Sequence, residues 1–189
     1  MKRFLRWGID WPVVSLLLLS GCQTPPPQPT PPALTIQAGH EWQGYFSVKL
    51  GPWGSVAAEG QSFTFYLRAS QQEAQLDLMT PLGTQLAQVR WSPTGTWIRS
   101  SQGTESYSSL DDLSIHLLGE TVPLKALPNW LDGQPSPDLP AAQTLANHPG
   151  FHQGGWTIDT QSLSDGYLQA TRPETSTQRQ ITIKVRLER

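Results

Sequence analysis

The chain has 189 residues, a formal net charge of −2, one cysteine and eight tryptophans. That length suits one domain with a substantial core. The near-neutral balance excludes a polycation that would hold nucleic acid by its phosphates, and a lone cysteine excludes an internal disulfide. Tryptophan, large and with a single donor, suits cores, cavity walls and membrane-facing surfaces.

Lys2, Arg3 and Arg6 precede a short apolar run from Trp11 to Leu19, and Ser20-Gly21-Cys22 follows. A basic start, an apolar middle and small residues at a cleavage point are the parts of a secretory signal. The run is too short for the roughly 20 apolar residues of a spanning helix. Leu19-Ser20-Gly21-Cys22 resembles the lipobox of bacterial lipoproteins. The resemblance implies diacylglycerol on the Cys22 thiol, cleavage before Cys22 and acylation of the new amine, with no cofactor besides this covalent lipid. Loss of Lys2, Arg3, Arg6 and Asp10 with the signal moves the formal charge from −2 to −4. Residues 23–33 are dense in proline, which favours an extended tether of roughly 30 Å. The chain therefore divides into a signal peptide (1–21), a lipid anchor and proline-rich tether (22–34) and a β domain (35–189).

From Gly44 the pattern has a period of two. Phe46, Val48 and Leu50 alternate with Tyr45, Ser47 and Lys49, and Gly51-Pro52-Trp53-Gly54 reads as a turn. Phe63, Phe65 and Leu67 form a second apolar face, and Ala74, Leu76 and Leu78 a third. After Thr80-Pro81-Leu82-Gly83 come Gln85, Ala87, Val89 and Trp91. Residues 96–99 and 105–107 are shorter strands. Short alternating strands with Gly/Pro turns predict antiparallel pairing in a barrel or sandwich.

The period then changes. Ser109 stands before Leu110, Leu113, Leu117 and Leu118, with Asp111 and Asp112 in the first turn and Gly119 at the end. This predicts a capped helix whose apolar face lies on the sheet. Pro123 starts a second, shorter helix that runs to Leu131 and stops before Gly133. Residues 134–155 read as loop, with Asp138 able to cap a short helix over 141–146. Strands resume at Trp156–Ile158, Gly166–Ala170 and Ile181–Leu187. Strands, then helices, then strands predict an α+β arrangement with helices on one face of an antiparallel sheet.

Met79-Thr80-Pro81-Leu82-Gly83, then Val122-Pro123-Leu124 and Leu127-Pro128-Asn129-Trp130-Leu131-Asp132-Gly133-Gln134-Pro135, together with the lipobox and Gly44-Tyr45-Phe46-Ser47-Val48, resemble the LolB family of outer-membrane lipoprotein receptors. The likeness runs in order from Cys22 to about Pro135, and weakens beyond, where Gly155–Ile158 and the last strand carry it. It implies a mainly β, open antiparallel half-barrel with helices covering one mouth and an apolar interior cavity. It also implies acceptance of lipoproteins from the periplasmic carrier LolA and their insertion into the outer membrane of a Gram-negative cell, by a lipid-anchored monomer that faces the periplasm. The candidate acyl-cavity residues are Phe46, Val48, Phe63, Phe65, Leu76, Leu78, Ala87, Val89, Trp91 and Trp130. The family's protruding membrane-insertion loop maps to Thr80, Pro81, Leu82 and Gly83, with Leu82 as the inserting residue. Gln23 lacks the Asp that retains lipoproteins in the inner membrane, which agrees with an outer-membrane address.

Alternation alone favours a filled core over a cavity for those inward residues. Leu82 has the alternative of folding back onto the core, although turn positions are usually polar. An enzyme is disfavoured. His148 and His152 have a metal-like spacing, but Pro149-Gly150 bars the helix that would align them. Asp111 and Asp112 are explained by the helix start, and no Gly-x-Ser-x-Gly or P-loop is present. The remaining alternative is a scaffold lipoprotein that binds another envelope protein.

Overall fold

The computed structural model describes residues 39–188. Cys22, the signal segment and the proline-rich stretch lie outside the described residues. Eleven strands form one sheet: β1 (His40–Leu50), β2 (Glu59–Ala69), β3 (Ala74–Met79), β4 (Gln85–Ser92), β5 (Gly95–Ser100), β6 (Gly103–Tyr107), β7 (Gln143–Thr144), β8 (Gly150–Gln153), β9 (Trp156–Asp159), β10 (Tyr167–Arg172) and β11 (Ile181–Leu187). Their order is β6-β5-β4-β3-β2-β1-β11-β10-β9-β8-β7, with every pairing antiparallel. β6 and β7 are unpaired edges, so the sheet curls into an open half-barrel, as expected. The edges are two and five residues long. Short edges offer little template for pairing with another chain.

The concave face follows from the period-two pattern. In register across four strands lie Leu67, Leu76, Val89 and Ile98. On the other side Phe46 faces Val185, which faces Leu168. All of these are buried. Gly44 is required where β1 passes β11. Its φ is 151, and a Cβ there would sit 2.0 Å from the Arg186 carbonyl oxygen.

Helix α1 (Leu110–Leu118) has the expected ends. The Ser109 side chain accepts from the Asp112 backbone N–H, and Gly119 adopts φ 70. Its buried face is Leu110, Leu113 and Ser114. Leu117, assigned to that face from spacing, is 44% exposed. Ser114 takes an inward place because its hydroxyl is satisfied twice, donating to the Asp111 carbonyl and accepting from Val122 N–H. The second helix is shorter than expected and broken. A 3-10 turn spans Leu124–Ala126, and α2 covers Leu127–Leu131 with Pro128 in its first turn. Pro128 lacks the N–H an earlier start would use, so the turn and the helix remain separate. The helix considered over 141–146 is absent. Gln143 and Thr144 pair instead with His152 and Phe151.

One buried ionic cluster joins the two halves. Glu120, just after α1, accepts from the Arg172 guanidinium of β10 and from the Arg179 backbone N–H. Arg172 also donates to the Thr121 carbonyl and lies over the Trp156 ring. Arg179 reaches the Gly51 and Ala57 carbonyls and so fastens the β1–β2 loop.

Candidate functional site

Strand direction sorts the loops into two mouths. The β1–β2, β3–β4 and β5–β6 connections lie at one end of the half-barrel. The start of β1, the β2–β3 turn and the start of α1 lie at the other. The tip of the β3–β4 hairpin is the most exposed apolar point described, with Leu82 95% exposed. The Thr80 carbonyl accepts from Gly83 N–H at 2.8 Å, which closes a turn with Pro81 and Leu82 at its centre. The Thr80 hydroxyl accepts from Thr84 N–H. Proline presets the turn and Gly83 leaves it at φ 84. With no contact available for the core side, Leu82 points into solvent, and the fold-back alternative does not occur. A Cβ on Gly83 would meet nothing within 4 Å, so only backbone strain opposes substitution. Gly83→Ala is expected to cost about 1–2 kcal/mol in urea unfolding.

The ten cavity candidates all lie on the concave side and separate into two groups. Phe46, Val48, Phe65, Leu76, Val89, Trp91 and Trp130 are buried, whereas Phe63, Leu78 and Ala87 are half-buried. The Phe46 and Phe65 rings meet edge-on, with centroids 6.2 Å apart. The half-buried three lie toward the Leu82 mouth, where Phe65 pairs Leu78 and Leu78 pairs Ala87. A cleft of about 140 Å³ opens at that mouth between Val48, Leu50, Glu59 and Gln61 and the α1 side chains Leu117 and Leu118. That volume is near the roughly 150 Å³ that holds a benzene. Wider clefts of about 610 and 470 Å³ lie at the opposite mouth and include polar groups such as His40, Asp132, Glu41 and Glu188. The interior is thus filled by the protein's own side chains, with Phe63, Leu78 and Ala87 its half-buried members toward Leu82.

Gln153 at the end of β8 holds this interior together, and sequence reading missed it. Its Oε1 accepts from Trp130 Nε1 and Ser136 N–H, and its Nε2 donates to the Ser136 and Pro140 carbonyls. Trp130 is thereby set 5.9 Å from Trp156, ring to ring. The only available signal was Gln153 beside Gly154-Gly155, which marks a turn but not the partners. Gln153→Leu leaves buried donors unpaired and is expected to cost at least about 2 kcal/mol by thermal or urea unfolding.

Among the described residues no three His, Cys, Asp or Glu side chains are grouped to hold a metal ion. His148 faces Asp159 at 3.7 Å while His152 bonds the Thr157 hydroxyl, so the two histidines have separate partners. The Glu41 carboxylate beside Tyr66, and burial, raise its phenol above 10.0. Burial and the bond donated to Glu105 do the same at Tyr107. Both shifts move these groups away from acid–base work near neutrality. Among the described residues no helix is long and apolar enough to cross a membrane.

The description "Outer membrane lipoprotein LolB" matches residues 40–189. Proteins named outer-membrane lipoprotein LolB share the likeness. That of Cupriavidus necator is 27% identical over 161 residues, covering 82% of this chain and 80% of its own. That of Ralstonia nicotianae is 29% identical over 164 residues, covering 80% and 75%. That of Bordetella petrii is 29% identical over 167 residues, covering 82% and 81%. The match spans the whole half-barrel, from the first residue of β1 past the last of β11, and so includes the C-terminal strands that carried least of the motif likeness. This chain belongs to the LolB family of outer-membrane lipoproteins.

Proposed function

We propose that this chain accepts the acyl chains of lipoproteins from the soluble periplasmic carrier LolA, shelters them on its concave apolar wall, and releases them into the outer membrane through the Leu82 hairpin. The need is physical. An acyl chain of about 15 methylenes costs roughly 12 kcal/mol to leave in water, so cargo crossing an aqueous gap requires an apolar host. The observation that carries the reading is Leu82, fully presented at a hairpin tip directly beyond the half-buried Phe63, Leu78 and Ala87 of an apolar half-barrel. Lipid on Cys22 would keep the domain at the acceptor membrane. No chemical step is needed if each acceptor binds the cargo more tightly than its donor.

A scaffold lipoprotein that binds another envelope protein draws support from one observation, the filled interior. A fluorescent fatty acyl probe separates the two. For an acyl host, the probe binds with a blue-shifted emission and cargo lipoprotein displaces it. For a scaffold with a permanently closed core, the probe stays free. Depletion in cells adds a second test, with lipoproteins accumulating bound to the carrier or at the inner membrane.

A further inference from the structure

Five hairpins turn at the Leu82 mouth: β1–β2, β3–β4, β5–β6, β8–β9 and β10–β11. The first three carry no charge, whereas β10–β11 carries Glu174 and Arg179, and Glu59 stands at the start of β2. Residues 51–58 of the β1–β2 loop, all residues between Asp77 and Arg90 around the β3–β4 tip, and residues 100–104 around the β5–β6 tip are uncharged. Exposed apolar side chains stand on them and on the adjoining end of α1. Val56 is 47%, Leu86 42% and Leu117 44% exposed. Trp53, half-buried, is held in the β1–β2 turn by its backbone bonds to Val56. The other mouth is acidic on balance, with Glu41, Glu73, Asp111, Asp112 and Asp132 against Arg68 and Lys125. An apolar sector without charge, with an interfacial tryptophan, suits a bilayer surface, and an acidic rim is repelled by anionic lipid.

The chain itself says which bilayer. β1 starts at the acidic mouth, level with Ala69, Ala74 and Trp91. From that level to Leu82 is roughly 25 Å at a strand rise of about 3.3 Å per residue. Gly39 lies 17 residues after Cys22. In extended form those residues reach about 50 Å, twice the distance needed to return past the barrel. We propose that the uncharged sector of the Leu82 mouth, with Val56, Leu86 and Leu117 as well as Leu82, is a bilayer-docking surface. It docks on the same leaflet that holds the lipid of Cys22, a distance that 17 residues are long enough to span. This rests on the delivery role of Leu82 proposed above. It adds the extent of the surface and a minimum length for the tether.

The test uses the mature lipid-anchored protein in vesicles of phosphatidylethanolamine and phosphatidylglycerol, where lipid blocks the only native thiol. Val56→Cys, Leu86→Cys, Leu117→Cys and, at the acidic mouth, Gln71→Cys each carry an environment-sensitive fluorophore. Quenching by brominated lipid is expected at the first three and not at position 71. Water-like emission at the first three, or equal quenching at all four, overturns the surface. Deleting residues 24–35 leaves five residues of reach, at most about 18 Å. That deletion is expected to abolish quenching at Val56→Cys and Leu86→Cys, and a Gly/Ser segment of equal length to restore it. Unchanged quenching after the deletion overturns docking on the protein's own leaflet. Leu82→Glu keeps the two proposals apart. If quenching follows the expected pattern while Leu82→Glu still delivers cargo at the original rate, the delivery role fails and the docking surface stands.

Discussion

Leu82→Glu is expected to fold normally and to lose cargo delivery to the membrane by about a hundred-fold. The side chain contacts nothing that holds the fold, being 95% exposed, so the change in stability stays within about 0.5 kcal/mol. Lipid contact by a leucine contributes about 1.5–3 kcal/mol. A carboxylate at the same place adds an opposing cost, so the difference is at least about 3 kcal/mol and the rate falls roughly in proportion. The measurement is transfer of a labelled lipoprotein from carrier to vesicles, alongside a thermal melt and acyl-probe binding. Probe binding is expected to persist, because the concave wall is untouched. Delivery at the original rate with an unchanged melt would remove Leu82 from the mechanism. Leu82→Phe is expected to retain delivery, which separates apolar contact from leucine's particular shape.

Arg172→Ala is expected to have the largest effect on stability. The Arg172 and Glu120 side chains are 7% and 11% exposed. Removing one partner leaves the other charge buried, at a cost of about 3–5 kcal/mol. In a domain of this size that lowers the melting temperature by roughly 10 °C. The variant also frees the Thr121 and Arg179 carbonyls and loosens the link between α1 and β10. A double change, Glu120→Leu with Arg172→Met, removes both charges and is expected to recover most of the loss. If Arg172→Ala alone melted within a degree of the original, the cluster would not be what joins helix layer to sheet. Acyl-probe binding gives a second readout, because the cluster sits where α1 ends beside the interior cleft. A loosened α1 is expected to raise probe binding even as stability falls.

The periodicities in this chain translate directly into structure because each reports a local geometry. Alternation in β1 to β5 placed Phe46, Phe65, Leu76, Val89 and Trp91 on one face, since successive strand side chains point oppositely. Ser109 and Gly119 bounded α1 because their capping acts within one turn. The Leu82 turn was legible for the same reason. Pro81 and Gly83 each set one backbone angle, whereas the outward direction of Leu82 between them was decided by the fold.

What only the tertiary structure decided depends on partners far apart in sequence. Nothing near Gln153 foretells Trp130, Ser136 and Pro140. Nor does Glu120 foretell Arg172. Spacing alone put Leu117 inward, whereas Ser114 faces the sheet because the Val122 N–H arrives there to satisfy it. β7 escaped a period-two reading because two residues are too few to show alternation, and β8 because one of its two buried side chains is the polar Gln153. The state of the interior was decided the same way. Alternation marks which side chains turn inward, but whether they enclose space or fill it depends on how far the sheet curls and how α1 and α2 settle on it. Here they fill it, most tightly around Trp130 and least at Phe63, Leu78 and Ala87. Sequence by itself therefore determined the apolar wall and the Thr80–Gly83 turn. The fold alone brought that hairpin, two other uncharged loops and the end of α1 to one mouth, because strand direction, not sequence proximity, assigns each loop its end of the barrel.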